Sequence, residues 1–333
     1  MRNLLIIIVL LFPLLGSSQQ WVQVWSDEFD GTALDLTKWE HEIGTGNWGW
    51  GNNELQYYTS NSNNIYLDTG YLHIVGRQEQ VASSYYTSAR IKTQGKFDFQ
   101  YGKVEARIKI PSGQGLWPAF WMLGSNITTV SWPMCGEIDI MEHVNNELMI
   151  HGTIHYDMWG HTYEGTHVYT DASDWHTYFI EWDQDEIRWY LDEVEFNSTN
   201  IGTGSVSREE FHNPFFLLLN LAIGGNWTGS PDGSTSFPAM MQVDYVRVYQ
   251  ESNSLNENKA EQTLTVSPNP SAESITISSD LNLTEYTVYN LQGKKLFSGN
   301  NTIIDISYLD SGMYLIDVKL ETGQQIRSSF IRE

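Results

Sequence analysis

The sequence predicts an all-β chain, and three observations carry that expectation. From Trp21 to Gln250 the apolar residues fall in short runs broken by Gly, Asn, Asp and Ser, without any long helical periodicity. Some of these runs alternate strictly. Val104, Ala106, Ile108 and Ile110 point one way and Glu105, Arg107 and Lys109 the other, the pattern of a half-buried strand. The runs also follow one another closely, which favours a sandwich or barrel over a sheet wound with helices.

In chain order, Met1-Arg2-Asn3, an apolar run from Leu4 to Leu15 and Gly16-Ser17-Ser18 fit a secretory signal peptide over residues 1–18. The apolar run is too short to span a bilayer, and no later stretch is apolar for longer, so a soluble mature protein without a membrane span is expected. Residues 20–250 form the large β domain, with strands expected at Tyr71–Val75, Gly102–Ile110, Thr177–Trp182, Ile187–Leu191, Phe215–Ile223 and Val243–Tyr249. Phe215–Ile223 is almost entirely apolar, as a central strand should be, and Asn220 is its one polar interruption. Residues 251–262 are polar and read as a linker. Residues 263–333 carry their own short β runs, enough for a second small β-sandwich.

A formal net charge of −23 disfavours nucleic acid and acidic polymers as partners and suits a neutral one. Cys135 is the only cysteine, so no intrachain disulfide can form. It is expected to be a buried, inert thiol.

The chemistry concentrates in Gly136-Glu137-Ile138-Asp139-Ile140-Met141-Glu142-His143. On a strand Glu137 and Asp139 share a face while Ile138 and Ile140 enter the core. Glu142 has the wrong parity, and a one-residue bulge near Ile140 and Met141 would return it to the face of Glu137. Such a row suits glycoside hydrolysis, in which an ionised carboxylate attacks the anomeric carbon and a protonated one serves the leaving oxygen. Upstream, period two puts Trp117 and Trp121 on one face of Leu116–Met122, with Phe120 and Met122 on the other. Two exposed tryptophans beside three carboxylates describe a sugar-binding cleft.

These segments, with Trp25–Gly31, Gly49–Tyr58, Ser88-Ala89-Arg90, Asn220–Trp227 and Asp244–Tyr249, closely resemble glycoside hydrolase family 16, more narrowly its laminarinases (endo-β-1,3-glucanases). The resemblance implies a jelly-roll β-sandwich whose concave sheet holds the cleft. It implies Glu137 as nucleophile, Glu142 as general acid/base, and Asp139 hydrogen-bonded to Glu137. It places Asn52, Arg90, Trp117, Trp121, His155, Asn226 and Trp227 against substrate. It also implies a structural Ca²⁺, held by backbone oxygens of Glu28 and Gly70 and the carboxylate of Asp244, with no cofactor for catalysis. The tail, through Val266–Pro270, Val288–Gly293, Leu309–Leu315 and a basic-ending terminus, resembles the C-terminal sorting domain of type IX secretion. A carbohydrate-binding module is the competing reading, disfavoured because the tail lacks tryptophan.

The expectation is therefore a secreted or surface-attached, monomeric, retaining β-1,3-glucanase acting on laminarin-type glucan and exported by secretion machinery that reads the tail. A mixed-linkage glucanase, an agarase- or carrageenase-like hydrolase and a transglycosylase remain alternatives. A non-catalytic glucan-recognition protein would lack the two glutamates present here.

Overall fold

The computed structural model describes residues 21–202, 208–251, 264–279, 282–290, 294–321 and 325–333. The expected signal peptide and nearly all of the expected linker lie outside these residues. The chain divides into two compact units, Met1–Ser252 and Asn253–Glu333.

The large unit is a two-sheet jelly roll. Its outer sheet runs Val194–Asn200, Glu186–Leu191, His176–Trp182, Gly102–Lys109, Ala239–Glu251, Tyr71–Gly76 and Ile65–Asp68, with Trp21–Asp27 also paired to Ala239–Glu251. The second sheet runs His161–Tyr169, Met149–Asp157, Glu137–Glu142, Leu116–Gly124, Phe215–Ile223, Arg90–Lys92 and Glu40–His41, all antiparallel. One core fills the space between them. Val104, Ala106 and Ile108 enter it from the outer sheet, and Phe120, Met122, Ile138, Ile140 and Leu219 from the second. Every residue of Phe215–Ile223 is buried, as a strand in the middle of its sheet requires.

The alternation expected for Gly102–Ile110 is present in full over Gly102–Lys109. Val243–Tyr249 proves to be the middle of a longer strand, Ala239–Glu251, which pairs with three neighbours and is bulged between Val243 and Tyr245. That length comes from the partners, which saturate its backbone on both edges.

The small unit has a three-stranded sheet, Thr265–Ser267, Ser274–Ser278 and Ile303–Asp305. A second, four-stranded sheet comprises Lys295–Gly299, Leu283–Tyr289, Gly312–Leu320 and Gln325–Arg332. It has its own core, which includes Ile275, Val288, Ile316, Val318 and Phe330. No helix among the described residues is long and apolar enough to cross a membrane.

Candidate active site

The face of the second sheet that turns away from the core carries a cavity of about 460 Å³. The acidic strand lies in its wall, and the bulge is where parity demanded it. Asp139 pairs with Trp121 and Thr153, but the next paired residues are Met141 opposite Phe120 on one side and Glu142 opposite His151 on the other. The extra residue lets Ile140 and Met141 both stay in the core while Glu142 rejoins Glu137 and Asp139 at the cavity.

Each carboxylate has its own surroundings. Trp132 Nε1 donates to Glu137 Oε2 at 2.9 Å, and Trp117 Nε1 donates to Glu142 Oε1 at 2.9 Å. The expected hydrogen bond from Asp139 to Glu137 is replaced by a shared neighbour. His155 Nε2 stands 3.1 Å from Asp139 Oδ2 and 3.8 Å from Glu137 Oε1. Asp139 Oδ2 is buried and has no hydrogen-bond partner within the protein. The far nitrogen of His155 meets His161 Nε2 at 2.8 Å.

Burial, then the repulsion of Asp139, pushes both Glu137 and Glu142 up to about 8, partly opposed by His155. Burial alone raises Asp139 to about 8. The row therefore holds at least one proton at neutral pH and releases its protons in steps that belong to the row as a whole. A site that keeps one carboxyl protonated beside an ionised one can perform acid and nucleophilic chemistry together.

The tryptophans expected to be exposed are half-buried, because each indole N–H is committed to the site. Trp121 Nε1 donates to Asn220 Oδ1 at 2.7 Å, and Asn220 Nδ2 reaches Tyr58 Oη at 3.2 Å. The lone amide of the central strand is thus a bracket at the floor of the cleft. Trp227 is the more exposed indole, edge-to-face with Trp117 at 5.4 Å.

Arg90 is wedged between Trp50 and Trp121, its guanidinium 4.5 and 4.8 Å from the ring centroids. Its Nε donates to Glu42, which also takes Lys92 Nζ at 2.9 Å. Burial alone would raise Glu42, but Arg90 and Lys92 hold its carboxyl below the usual range.

One wall is the loop Gly49–Asn53, where Gly49, Trp50, Gly51 and Asn53 all take positive φ. The two glycines relieve a strain that Trp50 and Asn53 must bear. Asn52 lines the cavity as expected. Asn226 does not: its backbone N–H donates to Asn52 O, and its Oδ1 accepts from Asn53 Nδ2 at 2.9 Å. It braces the loop through these two bonds.

Trp132, His161, Trp50 and Glu54 also line the cavity and escaped the sequence reading. Trp50 and Glu54 lie inside the segment that carried the family resemblance, where they could have been singled out. Trp132 comes from a connection and His161 from the first position of the edge strand, and neither left a periodic signal. Cys135 is buried against Leu123, Phe216 and Leu218, and burial raises its thiol to about 11, so it is inert as expected.

The residues expected to hold Ca²⁺ offer oxygen only, which suits a hard cation. Arg107 Nη1 donates to Asp244 Oδ2 at 2.6 Å, and Arg247 donates to both carboxylate oxygens of Glu28. That leaves Asp244 Oδ1 and the backbone oxygens of Glu28 and Gly70, which fit the expected ligand types.

A jelly roll with a row of carboxylates and indole rings in one cleft defines a carbohydrate-hydrolysing enzyme. The chain belongs to the glycosyl hydrolases family 16, whose model matches residues 45–247. Residues 265–332 match the secretion system C-terminal sorting domain. A β-glucanase of Rhodothermus marinus is 43% identical over 246 residues, covering 69% of this chain and 85% of that protein. The clotting factor G alpha subunit of Tachypleus tridentatus is 42% identical over 240 residues, 70% of this chain but only 34% of that longer protein. Among solved structures, the catalytic domain of a laminarinase from Thermotoga petrophila is 42% identical, with a TM-score of 0.65 over 71% of this chain and all of that one.

Proposed function

We propose that the enzyme hydrolyses internal β-1,3 linkages of laminarin-type glucan with retention of configuration. The bulge at Ile140 and Met141 carries the reading, since it brings two glutamates to one face with different neighbours. Glu137 attacks the anomeric carbon while Glu142 gives its proton to the departing glycosidic oxygen, forming a glycosyl–Glu137 ester. Glu142, now ionised, takes a proton from water, and that water displaces Glu137 from the opposite face. Asp139 stands beside both glutamates, and its repulsion favours a proton on them.

The cleft's indole rings and acidic row, with the net charge of −23, support an uncharged glucan over sulfated galactans. The tail resemblance supports export with the sorting domain as address. The pure protein should release reducing ends from laminarin well above those from agarose or carrageenan, with lichenan as the probe of mixed linkages. More reducing ends from agarose than from laminarin under matched conditions would overturn the substrate.

A further inference from the structure

The cavity reaches His155 and, at the first residue of the edge strand, His161, and that strand runs on to Tyr169. Direct cross-strand pairs share a face, and the register can be followed from pair to pair. Trp121 faces Asp139, Asp139 faces Thr153, and Thr153 faces Gly165. These four residues form a straight line from the floor of the cleft, through the middle of the carboxylate row, to the edge strand His161–Tyr169.

Gly165 marks a close approach. A Cβ there would stand 2.6 Å from Thr153 Oγ1 and 2.6 Å from Gly152 O. Gly152 O and the Thr153 hydroxyl therefore fill the place of a side chain at Gly165, and no side chain rises from the strand between its neighbours on that face. On the same face, two residues to either side, stand Tyr163 and His167, and Tyr169 follows. Tyr163 is 67% exposed and Tyr169 75% exposed. These rings continue the cleft. Tyr163 lies 5.9 Å from the His155 ring, and His167 lies 5.7 Å from His151, whose ring is 5.0 Å from Trp227.

A row of exposed rings on an edge strand is a liability unless something uses it. The strand contains no Lys or Arg, so its face does not select an anionic chain. Flat aromatic faces match the C–H faces of neutral sugar rings. The acidic strand and the edge strand are separated by two inter-strand steps, roughly 10 Å. The edge strand thus lies beyond the sugars at the scissile bond.

We propose that a longer substrate track crosses the edge strand at Gly165, with the Tyr163 and His167 rings on either side gripping glucosyl units of the same chain outside the cavity. The proposal rests on the β-1,3-glucanase reading. In the full-length protein, a Tyr163→Ala/His167→Ala variant should lower the ratio of kcat/KM on laminarin to kcat/KM on a short aryl β-1,3-glucoside by about tenfold, which corresponds to ~1.4 kcal/mol. Tyr163→Phe, which keeps the ring, should hold the ratio near that of the unsubstituted enzyme. An unchanged Tm shows that the double variant is folded. A folded variant with an unchanged ratio overturns the track, as does an equal loss on both substrates, which would mark damage to His155 instead. If the unsubstituted protein cleaves neither substrate, the glucanase reading falls first and the track with it.

Discussion

Glu142 and Glu137 differ by what surrounds them, and that difference can be measured. Glu142→Ala should lose on the order of 10²–10⁴ in kcat on glucan, the worth of general acid–base help. With a substrate carrying a good leaving group, azide should restore its turnover and yield a β-glycosyl azide, because the nucleophile remains and two inversions restore configuration. Glu137→Ala should give the α-azide or none; the opposite pairing would swap the roles. The same residues predict a pH effect on stability. Their folded pKa values are raised, so the folded state binds more protons than the unfolded chain. Stability must then fall as pH rises from the ordinary carboxylate range to about 8, where these groups ionise. Glu137→Gln removes one buried charge. It should be inactive yet more stable at pH about 8 by about 1–2 kcal/mol, the gain shrinking toward pH about 4. Thermal denaturation across that range checks it, and a gain that grows at low pH would contradict it.

At the level of elements, two bulged strands matter most. The bulge in Glu137–Glu142 makes the site; that in Ala239–Glu251, between Val243 and Tyr245, frees Asp244 from the regular pleat. The proposed Ca²⁺ would use Asp244 Oδ1 with the backbone oxygens of Glu28 and Gly70. A cation bound only to the folded state at a hundred times its Kd adds about 2.7 kcal/mol. Chelator should therefore lower Tm by several degrees, and added Ca²⁺ should restore it. A melting curve indifferent to both would remove the site. Asp244→Ala should abolish the dependence while leaving Arg107 without its partner.

For the whole molecule, the two units each enclose a core of their own. Removing residues 263–333 should leave hydrolysis of soluble laminarin within about twofold, because every cavity residue lies before Ser252. In a native host the truncated protein should remain behind the outer membrane. Loss of activity in the purified truncation would make the tail part of the catalytic fold, and normal export would remove its proposed role as an address.

What the sequence determined by itself was whatever depends on neighbours along the chain. Period two gave the faces of Gly102–Lys109 and Leu116–Gly124, and the odd spacing of Glu142 demanded a bulge before any coordinates. The acidic row, the tryptophan strand and the family segments were legible for the same reason: they sit on regular strands, where spacing dictates direction. The tertiary structure decided whatever depends on which strands meet. Trp132 reaches Glu137 from a connecting loop, and His161 meets His155 across a hairpin. Asn226 is spent on the loop it was expected to work beside, since its partner Asn53 is 173 residues away in the chain. The indoles of Trp117 and Trp121 are tied down by Glu142 and Asn220, and Arg90 is clamped between two rings from separate segments. Local spacing fixes where a side chain points; only long-range pairing fixes what it finds there.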